Sequence, residues 1–176
     1  MLKPWHVCLT ILLSICFYTL FCGQRNQRHA VTAIKIPRNK NDILTILKNE
    51  NFHTYNCKED IPPFIMQYLK LLSNDGFSIA DPDEEYNCCC TTSPSLPARG
   101  LVFFAKSKDH FVIHYNKGAG IVNFDILLLL SIKNEQVTGI WQGSAGFGVT
   151  SVDDVIRYVE THPYVSDYIK ENRSEI

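Results

Sequence analysis

The chain has almost no net charge: 17 Lys and Arg against 18 Asp and Glu leave a formal net charge of -1. Without a basic excess there is no electrostatic case for a nucleic-acid partner. It also lacks internal repeats and low-complexity tracts, so a single kind of folded unit has to be explained. CxxC spacing is missing as well. Seven cysteines are present, but Cys88, Cys89 and Cys90 are adjacent and Cys57 stands alone, which is neither a zinc ribbon nor a redox motif. A nucleotide cradle is absent too: Gly143-Ser144-Ala145-Gly146-Phe147-Gly148 has neither a Lys-Ser/Thr ending nor the GxGxxG order, and too little chain follows it for a βαβ unit.

Metal chemistry lacks its donors in the same way. His110-Phe111-Val112-Ile113-His114 has the histidine spacing of a zinc-protease helix, but Phe111 occupies the place of the general-base Glu. The β-branched and aromatic residues between the histidines favour a strand. On a strand, positions four apart share a face at roughly 13 Å, and one ion with ligands at about 2 Å cannot hold both. The acidic stretch Asp81 to Glu85 lacks the alternating oxygens and glycine of an EF-hand loop. The expectation is therefore no metal and no cofactor.

What the chain does have is an apolar start. Lys3 is followed by Trp5 to Cys22 without one Asp, Glu, Lys or Arg, and the run stops at Gly23-Gln24-Arg25. A cation followed by an apolar block is the pattern of a secretory signal or membrane anchor. Over residues 1–23 it resembles bacterial lipoprotein signals and anchor signals in general, which implies lipidation at Cys22, although Phe21 stands where those signals carry a small residue. As an uncleaved anchor, the run lies at the short end of the roughly 17 to 25 residues that span a bilayer. Export places the domain at the cell envelope. The alternative is a domain on the cytoplasmic face, because Arg25, Arg28, Lys35, Arg38 and Lys40 follow the run and positive flanks stay inside.

Residues 24–40 read as a polar, basic linker and 41–176 as one α+β domain of the usual size. Asn41 is expected to cap a helix to about Lys48, with Ile43, Leu44, Ile46 and Leu47 inward. A second helix is expected from Asp60 as cap through Leu72, with Pro62 in its first turn and apolar residues at spacings of three and four. An antiparallel meander follows: 101–105, 110–115, 121–132 and 137–141, with a fifth strand if the Phe77 to Ile79 region joins. Ile126 to Leu130 is apolar on both faces. It should be covered twice, or present one face to a partner. Ser151 and Asp154 resemble a capping box for a helix carrying Val152, Val155, Ile156 and Val159, and a last short helix is expected over 164–170.

These features point to a membrane-tethered, non-catalytic binding domain of inhibitor or immunity type. Its partners would be the membrane through residues 5–22 and a protein or small ligand met by Tyr115, Trp141 and Phe147. The alternative is an envelope thiol enzyme, a hydrolase or oxidoreductase, with one of Cys88, Cys89 and Cys90 as nucleophile and His110 or His114 as base.

Overall fold

The computed structural model describes residues 39–88, 92–119, 122–146 and 148–162. The leader with Cys22, most of the linker, Cys89, Cys90, Phe147 and the expected helix over 164–170 lie outside them. Among the described residues, no helix is long and apolar enough to cross a membrane.

The domain is α+β, and its described residues form three α-helices and one six-stranded sheet. Helix α1 spans Lys40–Asn49. Its cap is Asn39 rather than Asn41, because the Asn39 side chain accepts the Asp42 N–H at 2.9 Å and so satisfies a donor of the first turn. Ile43 and Leu47 are buried, while Leu44 and Ile46 are only half-buried at the flanks. Helix α2 covers Pro63–Leu72, two residues later than the Asp60 cap implies. Lys58–Asp60 instead forms a 3-10 turn. The second of two prolines explains the delay: a residue before proline is pushed out of the helical region, and Pro62 adopts ψ 140°. After α2 the chain reverses through Gly76 at φ +78° and Phe77 at φ +49°.

Strands β3 (Arg99–Lys106), β4 (His110–Ala119), β5 (Val122–Lys133) and β6 (Gln136–Ser144) form the expected antiparallel meander. Two short strands share the outer edge of β3. β1 (His53–Tyr55) pairs antiparallel with its end, and β2 (Ile79–Ala80) pairs with its start. The Phe77 to Ile79 region thus contributes a strand, but a parallel one, outside the meander. A bulge between Leu101 and Phe103 shifts β3 by one residue. Leu101 and Phe104 consequently join one core, and Phe103 and Ala105 the other.

The β5 run is covered on both sides. Ile126, Leu128 and Leu130 pack with Ile61, Ile65 and Leu69 around α2, whereas Leu127 and Leu129 pack with Ile43 and Leu47 of α1 and with Val152, Val155 and Val159. Those valines lie on or at the start of helix α3 (Val152–Thr161), capped by Ser151, whose hydroxyl oxygen accepts the Asp154 N–H at 3.2 Å. Each fully buried Leu or Ile contributes about 1.5 to 3 kcal/mol, so neither apolar face of β5 is spare. Exposed large apolar side chains lie outside the Ile126 to Leu130 run, at Leu71 on α2 and at Val122 and Phe124 near the start of β5.

Candidate binding site

Helix α1 ends at Asn49, and Glu50 then turns its carboxylate toward the β3–β4 turn. There Glu50 Oε1 lies 2.5 Å from His110 Nδ1, and Glu50 Oε2 accepts a hydrogen bond from the Ser107 hydroxyl. The Ser107 oxygen in turn accepts the His110 backbone N–H at 3.0 Å, which closes a small ring of polar contacts. The carboxylate is thereby fixed rather than free to swing. This is not a nucleophile relay, because the serine hydroxyl points at the acid and not at the imidazole.

Beyond Glu50, residues 51–54 lead into β1, and the start of α3 approaches from the other side. Between them lies a cavity of about 430 Å³, within the usual range for ligand sites. Lys48, Glu50, Phe52 and Thr54 line one wall, and Asp153 and Ile156 the other. Lys48 forms an ion pair with Glu160 of α3, bridging the two helices. Asp154 faces its own helix end: it receives hydrogen bonds from Ser151, Thr150 and Arg157. Led by the Ser151 contact, these hold its carboxyl down at about 2.

The residues singled out from sequence are dispersed. Trp141 and Tyr115 are 1% and 0% exposed, one in each core. Gly143 leaves room for the Trp141 ring, since a Cβ there would meet it at 2.3 Å. Burial pushes the Tyr115 hydroxyl far up, against a smaller opposing effect of Arg99. His114 is buried against Phe103, with Nδ1 2.8 Å from the Val149 carbonyl and Nε2 3.8 Å from Asp125. Desolvation holds its pKa below the ordinary value, with the Val149 carbonyl and Asp125 opposing. Cys88 rests beside Gly118 on the face that bears His114: a Cβ on Gly118 would lie 2.8 Å from the Cys88 Cα. His110 is eight residues from Gly118 along β4, roughly 26 Å at strand spacing, so Cys88 and His110 are not brought together.

Cys57 lies with Glu59 and Asp81, the one three-donor group of metal-ligand type among the described residues. Its thiol pKa is raised, first by the hydrogen bond to Glu59. Of the group's two carboxylates, Asp81 already has cationic company, since Lys58 Nζ lies 3.4 Å from it. Glu50, Phe52, Thr54 and Asp153 carried no motif in the sequence. Glu50 and His110 meet across 60 positions of chain. The chain matches no protein-family model, no curated protein and no solved structure.

Proposed function

We propose that this chain is a membrane-tethered, non-catalytic binding domain whose ligand or partner protein is met at the groove between the end of α1, β1 and the start of α3. The observation behind this reading is the groove itself, about 430 Å³ with a carboxylate fixed at its edge. Around the Ile126 to Leu130 run, helices cover both sheet faces. The tether draws on the apolar run Trp5 to Cys22.

Photo-crosslinking in intact cells separates a groove binder from a featureless scaffold. A benzophenone side chain at Thr54 is expected to capture a discrete partner, whereas the same group at the exposed Gln67 of α2 should capture none. Equal capture at both positions would sink the reading. Removal of residues 1–23 should release the protein from an alkali-washed membrane fraction, and an unchanged membrane fraction would remove the tether from it.

A second reading, the thiol enzyme, draws on Cys88 lying on the face of β4 that carries His114. It requires one thiol that alkylates near neutral pH much faster than the others. Uniformly slow alkylation eliminates it.

A further inference from the structure

We infer that the groove receives a positively charged side chain, a guanidinium or ammonium, from a partner protein; the inference rests on the groove being the binding surface. The first argument is charge. Glu50, Asp153 and Lys48 are the charged residues of the lining, and Lys48 is already paired with Glu160. Glu50 has the His110 imidazole at one oxygen, and the Asp153 carboxylate on the opposite wall adds negative charge that no cation of the lining offsets.

The second argument is preorganisation. Glu50 is pinned by His110 and Ser107, one contact to each oxygen. A carboxylate offers about four lone-pair positions, so acceptor capacity remains for an incoming donor. A fixed acceptor binds without the ordering cost of a swinging side chain. Half-buried Phe52 adds an aromatic ring to the same wall, and a guanidinium stacks well on such a face.

An anion fits less well, even though the amino end of α3 borders the groove. Helix amino ends attract anions through unpaired N–H groups. Here Asp153 and Asp154 already occupy the first turn of α3, and Ser151 accepts the Asp154 N–H. An incoming anion would meet the Asp153 carboxylate in the groove and find the helix end already engaged by Asp154.

The test uses full-length, isotope-labelled protein and two small probes, N-acetylarginine methylamide and its neutral isostere N-acetylcitrulline methylamide. Titration of the arginine compound is expected to move the amide resonances of Phe52, Thr54 and Asp153 to saturation, with the citrulline compound leaving them in place. Asp153→Asn, which lies outside the Glu50 hydrogen-bond ring, should weaken arginine binding about threefold, the scale of an exposed ion pair. Glu50→Gln should weaken it further. Equal response to both compounds overturns the charge assignment and leaves the groove as a binding surface. No response to either, with Thr54→Trp still abolishing partner crosslinking from a neighbouring groove position, also overturns the inference while the binding reading stands. No response, together with a silent Thr54→Trp, removes both.

Discussion

The two faces of the sheet are closed by different means. One is covered by a single helix, α2, and sealed at its end by Arg99, whose side chain is fully buried, 3.0 Å from Asp75 and stacked 4.5 Å over Phe77. The other is covered by α1 and α3 side by side, and where their ends meet a groove opens. The difference shows where concave surface originates in a small α+β domain. One helix centred on a sheet leaves only its rim, whereas two helices create a seam, and polar side chains at that seam remain reachable from solvent.

The largest expected effect tests the sealed face. Asp75 is only partly buried; desolvation would raise its carboxyl, yet Arg99, the Phe77 N–H and Ser73 together hold it below the ordinary value. Arg99 is completely buried. Asp75→Asn should therefore cost about 3 kcal/mol in a urea melt, because it removes the carboxylate charge that faces a buried cation, while Arg99→Met should cost less, because it leaves a partly solvated carboxylate. The reverse ranking would mean that the seal is held by shape rather than charge.

The next effect compares both faces within one strand. Leu128 points to the α2 side and Leu129 to the α1 and α3 side, at 0% and 2% exposure. Each Leu→Ala change should cost about 3 kcal/mol. A loss below about 1 kcal/mol at Leu129 alone would show that the two-helix cover is loosely packed.

The smallest effect concerns pH. His114 lies on the two-helix side with its folded pKa lowered, mainly by burial. The unfolded chain thus takes up a proton near pH 6.5 while the folded chain resists it. The stability from neutral, buried His114 is full above about pH 6.5 and is lost as pH falls below it, by at most about 1.4 kcal/mol per unit. His114→Gln should flatten that slope between pH 7 and pH 5. An unchanged slope would assign the acid sensitivity to other groups.

Much of this organisation was legible in sequence wherever periodicity ran long enough. The meander, the double burial of the β5 run and the Ser151 cap of α3 follow from local spacing. Helix starts were displaced where two signals competed: Asn39 and Asn41 both suit a cap, and paired prolines moved α2 past Asp60. β1 was not visible because His53-Thr54-Tyr55 is too short to show alternation, and its strand character comes from pairing with β3. Trp141 and Tyr115 read as contact residues because aromatic content alone does not distinguish a core ring from a surface one. The groove was invisible for a related reason. Its walls come from residues 47–54 and 151–156, and the geometry that joins them exists only after both helices dock.

The one-residue shift at Val102 behaves like a reading frame. Upstream of it in β3 the odd-numbered Leu101 belongs to the α2 core, and downstream the even-numbered Phe104 does. Deleting Val102 would restore strict alternation and leave Leu101 and Phe104 on the α2 side and Phe103 and Ala105 on the other, whereas deleting a residue outside the bulge would exchange the faces of everything beyond it on one side, a frameshift written in side chains rather than codons. Val102 is thus the one position in β3 where the chain can change length by a residue without any side chain changing sides.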